Sequence, residues 1–191
     1  MRAWPSRRPA RGRKAPAAFL DRDGTLNRDK AGVYITSPEQ LKLYAGVPAA
    51  LKKLSAKGYR LVVLTNQSGV ARGYMTLGQA RRINLKLVRD LRAAGVKLDA
   101  VYFCPHGPDD GCACRKPAPG LIKEALKELA IDLEGSFVAG DKASDLALAK
   151  AAGIRGMLVL TGQGRAAGAK GYGGLAALAG AVPDVNKGKE K

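Results

Sequence analysis

The chain has 191 residues, 46% of them hydrophobic, and a formal net charge of +17. That is enough for one domain with a sizeable core. No apolar run approaches the roughly 20 residues that cross a bilayer as a helix, and the charge favours anionic partners: phosphorylated small molecules or nucleic acid.

Six basic residues and no acid come first: Arg2, Arg7, Arg8, Arg11, Arg13 and Lys14. No apolar h-region follows them, so residues 1–16 are expected to be a disordered basic tail rather than a targeting signal. The run Ala17-Ala18-Phe19-Leu20 then reads as a buried strand that ends in Asp21-Arg22-Asp23-Gly24-Thr25. A polar stretch from Asn27 to Gln40 follows, with turn signals at Gly32 and Ser37-Pro38. Val47, Leu51 and Leu54 repeat at helical spacing, and Gly58 stops that helix. Tyr59 to Leu64 is a second strand, ending in Thr65-Asn66-Gln67-Ser68-Gly69. Thr76 and Gln79 form a capping box for a helix whose apolar face holds Leu77, Ala80, Ile83, Leu87, Val88 and Leu91. Leu98 to Phe103 is a third strand. A helix opens near Pro119, Ser136 to Gly140 is a fourth strand, Ser144 to Ala152 a helix, and Gly156 to Leu160 a fifth strand. Gly162 to Gly174 is expected to be a flexible loop and residues 184–191 a second tail.

Strands alternating with helices of this length specify parallel βαβ units, hence an α/β domain over residues 17–183 with a doubly wound parallel sheet. The linkers are too short for a large cap domain. Ligands of such sheets bind at the carboxyl ends of the strands. The polar clusters Asp21/Asp23, Thr65/Asn66, Cys104/His106 and Asp141 all fall there.

Asp21 and Asp23 sit at i and i+2 of an extended chain, so both can face one site. Two carboxylates there can divide the work of nucleophile and general acid, with Asp23 needing a raised pKa to carry a proton at neutral pH. A carboxylate attacking a phosphate needs its charge neutralised, which Mg²⁺ does with one or two carboxylates; Asp141 supplies the second. Lys116 and the Thr65 hydroxyl can hold the transferring phosphoryl oxygens.

All three cysteines and the single histidine lie between Cys104 and Cys114, as C-P-H, five residues, then C-A-C. Cys104, His106, Cys112 and Cys114 make a tetrahedral zinc set with no open position, which is a structural site. A disulfide fits poorly, because Cys112 and Cys114 are too close and one cysteine would be left over. Zinc would order the Gly107 to Gly111 loop and fix Arg115 and Lys116. Thiolates kept reduced point to the cytoplasm.

The motifs D-R-D-G-T at Asp21, T-N-Q-S-G at Thr65, C-R-K-P at Cys114 and G-D-K at Gly140 occur in that order. In this the chain resembles the haloacid-dehalogenase (HAD) superfamily of phosphatases. More narrowly it is similar to the D-glycero-D-manno-heptose 1,7-bisphosphate 7-phosphatases and the related histidinol-phosphate phosphatases. The resemblance covers about residues 17–162. It implies a Mg²⁺-dependent phosphomonoesterase with an aspartyl-phosphate intermediate, a zinc loop, and a phosphorylated sugar as substrate. In that frame Asp21 is the nucleophile and Asp23 the acid/base. The Asp21 carboxylate, the Asp23 backbone carbonyl and Asp141 hold Mg²⁺, and Thr65 and Lys116 steady the phosphoryl group. Arg115 is similar to the family's substrate-recognising arginine. Arg22, Asp29, Asn66, Gln67, Ser68 and Lys142 are further substrate contacts, and Asp145 orients Lys116 or a metal-bound water.

Three readings compete with the heptose bisphosphate. Histidinol phosphate would call for an acidic pocket. The charge would suit a nucleic-acid 3′-phosphatase or a nucleic-acid-binding protein acting through the basic tail. A zinc protein on an inactive scaffold would not need both aspartates, Lys116 and Asp141. The open, cap-free site demands no partner, so a monomer is expected.

Overall fold

The computed structural model describes residues 1–4, 13–166 and 170–186. Its centre is β2 (Ala15–Leu20), flanked on both sides by parallel strands. The neighbours are β3 (Arg60–Asn66) and β5 (Ile131–Gly140). Outside them lie β4 (Ala100–Cys104) and β6 (Arg155–Leu158), with β1 (Arg2–Trp4) beyond β4, and the sheet order is β1-β4-β3-β2-β5-β6. The chain winds outward from β2 through β3 to β4, then returns to place β5 on the other side of β2. That reversal is the switch point at which doubly wound sheets open a crevice at their carboxyl edge.

Both faces of the sheet are covered, which is why its central strands are continuous apolar runs. Ala18 and Leu20 of β2, with Leu61 and Val63 of β3, pack on one face. They meet α1 (Val47–Ala56), α2 (Leu77–Ala93) and α5 (Leu175–Ala181). Ala17 and Phe19, with Val62 and Leu64, face the opposite layer of α3 (Gly120–Glu128) and α4 (Ala143–Ala151). Thr76 caps α2 as expected, accepting the Gln79 amide hydrogen at 3.2 Å. The connections from β2 to α1 and from β3 to α2 carry no separate domain, so the carboxyl edge stays open.

Four segments depart from the sequence reading. Residues Arg2–Trp4, expected in the disordered tail, form β1, an edge strand antiparallel to β4. Arg2 pairs with Glu128 of α3 at 2.7 Å, which ties that strand across the sheet. The remaining core of the expected tail, residues 5–12, lies outside the described residues, as do residues 187–191. Residues 184–186 are not free: the Val185 amide donates to the Lys57 carbonyl at 3.0 Å and Asn186 Nδ2 to Ala56 O at 3.0 Å, at the end of α1. The loop expected from Gly162 begins as a 3₁₀ turn over Gly162–Ala166, and the helix α5 follows where none was expected. Lys57 Nζ closes the end of α5 by donating to the carbonyls of Ala179, Gly180 and Val182.

The far edge, β6, is also short. Leu160 donates to Tyr172 O at 2.7 Å and Tyr172 to Leu158 O at 2.9 Å, so the chain beyond β6 folds back against it. Among the described residues no helix is long and apolar enough to cross a membrane.

Candidate active site and cysteine cluster

The carboxyl ends of β2, β3 and β5 bring Asp21, Thr65 and Asp141 together, all nearly buried. Lys116, which enters from the segment after β4, is the organising cation. Its Nζ lies 2.7 Å from Asp21 Oδ1, 2.7 Å from Asp145 Oδ1 and 3.0 Å from the Leu64 carbonyl. Burial opposes its charge, but Asp145 and Asp21 more than compensate and hold its pKa above the ordinary lysine value. Asp145 is spoken for at both oxygens, since Oδ2 accepts the Lys142 amide hydrogen at 3.1 Å. It is therefore a partner of Lys116 rather than a free metal ligand.

Asn66 clasps the same lysine through the backbone. The Lys116 amide donates to Asn66 Oδ1 at 3.0 Å, and Asn66 Nδ2 donates to Lys116 O at 3.1 Å. Asp21 Oδ1 also accepts the Arg22 amide hydrogen at 2.7 Å. The Thr65 hydroxyl accepts from Gln67 Nε2 at 2.9 Å.

Asp23 reverses an expectation. Its side chain lies at the cleft with its carboxylate ringed by donors. Oδ1 accepts from Arg22 Nε at 3.0 Å and Asn27 Nδ2 at 2.9 Å; Oδ2 accepts from Arg22 Nη2 at 2.8 Å and Gln67 Nε2 at 2.9 Å. Burial alone would raise its pKa, but the Arg22 charge and the hydrogen bonds from Arg22, Asn27 and Gln67 outweigh it. Asp23 is therefore held below the ordinary carboxylate range, not above it.

Arg22 is the second correction. Expected at the substrate, it is fully buried and turns inward, where Nη1 donates to Asn84 Oδ1 on α2 at 2.9 Å and Nη2 to Gln67 Oε1 at 3.0 Å. Asp29, Asn66, Gln67, Ser68, Arg115 and Lys142 do line one open cleft of about 270 Å³, together with Asp23, Lys30, Tyr34 and Gln163. Lys142 Nζ pairs with Asp29 Oδ2 at 3.1 Å.

The carboxylate oxygens of Asp21, Asp141 and Asp145 come within 4.8 Å of one another. Burial and the Asp21 charge push the Asp141 carboxyl up to about 7, against the pull of Lys142 and the Gln163 amide. Like charges crowded this way are what a divalent cation relieves, so Asp21 and Asp141 fit a hard oxygen-liganded ion.

Cys104, His106, Cys112 and Cys114 form a second such group. The three sulfurs are 3.3–3.6 Å apart, and His106 Nδ1 lies 3.2 Å from Cys114 Sγ and 3.5 Å from Cys104 Sγ. Ligands at zinc's usual ~2.3 Å around a tetrahedron stand only a few tenths of an ångström further apart, so the set fits zinc. The cluster reaches the cleft through two backbone carbonyls: Arg115 Nη1 donates to His106 O at 3.2 Å, and the Gln67 amide to Cys104 O at 2.7 Å.

Comparison with known proteins places this geometry. A HAD-hydrolase-like family model matches residues 113–184. The D-glycero-β-D-manno-heptose-1,7-bisphosphate 7-phosphatase of Helicobacter pylori is 43% identical over 145 residues, 75% of this chain and 83% of its own. That of Pasteurella multocida is 44% identical over 154 residues, 77% of this chain and 83% of its own. The crystal structure of the D,D-heptose 1,7-bisphosphate phosphatase of B. bronchiseptica, complexed with magnesium and phosphate, superposes with a TM-score of 0.78 at 38% identity. It covers 86% of this chain and 96% of that one. The chain belongs to this family of HAD phosphatases.

Two glycines let the phosphatase fold around its carboxylates. Gly24 has φ +89°, and a Cβ there would stand 2.1 Å from Asp141 Oδ2; a Cβ on Gly140 would stand 2.1 Å from Asp145 Oδ2. Asn84 and Gln163 were missed by the sequence reading. For Asn84 the signal was present: a lone polar residue on the apolar face of α2. Gln163 donates its amide to Asp141 Oδ2 at 2.9 Å from a stretch that reads only as Gly-rich. Gly24→Ala is expected to lose activity and to destabilise the fold by about 2 kcal/mol or more, measured by urea unfolding beside a phosphate-release assay.

Proposed function

We propose that this phosphatase hydrolyses the C7 phosphate of D-glycero-D-manno-heptose 1,7-bisphosphate through an aspartyl-phosphate on Asp21, as a cytoplasmic monomer. The observation that carries the reading is the buried Asp21–Lys116 contact of 2.7 Å, flanked in sequence by Asp23 and Arg115, which line a cleft that Lys30 and Lys142 also wall. An Asp21 oxygen attacks phosphorus in line, and the bond to the sugar oxygen breaks as Asp23 delivers a proton to it. Water then attacks the acyl phosphate and gives a proton to Asp23, which frees inorganic phosphate and restores Asp21. Lys116 and the Thr65 hydroxyl hold the phosphoryl oxygens through both steps. The Arg22 charge and the hydrogen bonds around Asp23 favour its ionised form, so Asp23 takes up its proton from solvent as the substrate's negative charge offsets that of Arg22.

Mg²⁺, held by the carboxylates of Asp21 and Asp141 and the Asp23 carbonyl, would supply the charge neutralisation that lets an anionic nucleophile meet an anionic phosphate. Zinc at Cys104, His106, Cys112 and Cys114 is structural in this reading, and through the His106 carbonyl it holds Arg115 ready for the second phosphate.

Charge separates the alternatives. Histidinol phosphate carries cationic groups, while the cleft presents Lys30 and Arg115, and its Asp29 is already paired with Lys142. A second phosphate suits those walls better. A phosphate-release assay with Mg²⁺ decides among both anomers of the heptose bisphosphate, histidinol phosphate and a 3′-phosphorylated oligonucleotide. The heptose bisphosphate is expected to be turned over fastest; preference for either other substrate overturns the assignment.

Three expectations accompany it. Asp21→Asn abolishes turnover to below about a thousandth of wild type while zinc content and fold are kept, read by assay, metal analysis and circular dichroism. Mg²⁺ affinity rises as pH climbs through about 7, because the proton on Asp141 competes with the ion below that pH and leaves above it; calorimetric titration at pH 6 and pH 8 reads this. Cys112→Ser loses stoichiometric zinc and lowers Tm by on the order of 10 °C, since metal binding is folding free energy.

A further inference from the structure

Beneath the cleft, between β2 and α2, lies a buried polar chain in an otherwise apolar layer. Asn84 is fully buried on the face of α2 that also carries Ile83, Leu87 and Leu91. Its Oδ1 accepts from Arg22 Nη1 at 2.9 Å, and Arg22, also fully buried, reaches both oxygens of Asp23 through Nε and Nη2. Gln67 closes the ring, accepting from Arg22 Nη2 and donating to Asp23 Oδ2.

This arrangement is expensive for a core. A buried guanidinium and a buried amide replace apolar packing, and Asn84 Nδ2 finds no partner among the described residues. Leucine at position 84 would match its neighbours. What the chain gains is directional: two parallel hydrogen bonds from one planar guanidinium fix the plane of a carboxylate, and Asn84 fixes the plane of the guanidinium.

We propose that Asn84 and Arg22 are positioning residues that aim the Asp23 carboxyl group at the leaving oxygen of the substrate. The proposal rests on Asp23 being the acid/base, as set out above. Neither residue touches the phosphate; they act through the direction of Asp23. General acid help matters in proportion to how poor the leaving group is. A sugar alkoxide needs a proton to depart, whereas p-nitrophenolate departs without one. The effect therefore belongs to kcat/KM, which covers the steps up to the first phosphoryl transfer.

The test compares Asn84→Leu with wild type on the heptose bisphosphate and on p-nitrophenyl phosphate. We expect kcat/KM to fall about tenfold or more on the sugar phosphate and less than about twofold on the aryl phosphate, a part of the 10²–10⁴ that general acids supply. Asn84→Asp keeps an acceptor for Arg22 and is expected to recover most of the loss. Asn84→Ala, a smaller truncation, stands beside Asn84→Leu in case the larger side chain prevents folding; aryl phosphate turnover shows that either variant is folded. An equal loss on both substrates, or no loss, overturns the positioning assignment. Asp23→Asn is run in parallel. A selective loss there with none in the Asn84 variants sinks only the positioning assignment. No selective loss in Asp23→Asn sinks the acid/base reading itself.

Discussion

A lysine ammonium with almost no access to water is the constraint on which the site is built. Lys116 can stay charged only because Asp21 and Asp145 sit at 2.7 Å on either side of it. Both carboxylates have the lysine as their cationic partner, and Asp141 close by is so crowded by burial and the Asp21 charge that its carboxyl is pushed up to about 7. Carboxylates crowded in this way suit a cation, and a cation among them would suit a phosphate.

Such a cluster tolerates little movement, and the chain fixes it from several directions. The β-strands set the spacing of Asp21, Thr65 and Asp141, because parallel neighbours carry their carboxyl ends to one edge. Gly24 and Gly140 remove the side chains that would otherwise keep backbone and carboxylate apart. Lys116, on a segment without regular structure, is held by the paired amide bonds to Asn66 and, on its amino-terminal side, by the cysteine–histidine cluster. Strand geometry thus positions the carboxylates, while side-chain and sulfur chemistry position the cations.

The sequence made the scaffold and most of the cleft readable. Apolar runs ending in polar clusters marked the strand ends, and the carboxyl-end rule gathered those clusters into one place. What it concealed were interactions with partners remote along the chain. Arg22 lies past the end of β2, where the chain bends, and its inward direction is set by Asn84 of α2 and by Gln67, which no local pattern announces. The low pKa of Asp23 was hidden because its donors come from Asn27, Gln67 and a guanidinium anchored on α2. The edge strand β1 has three residues and no local pattern, only a partner in β4. The helix α5 is built from Leu, Ala and Gly, whose composition reads as loop until Leu175 and Leu178 are seen packed in the core.

Both margins of the sheet are finished in the same manner. On one side three residues ending in a half-buried Trp4 lie along β4; on the other, Tyr172 returns to bond beside β6. A long bare strand would offer unsatisfied amides to a second copy and begin a fibre. Among the described residues neither margin presents more than a few residues of ladder. Little open backbone among them is left at either margin for a further strand to add to, and that finish is the work of trim only a few residues wide.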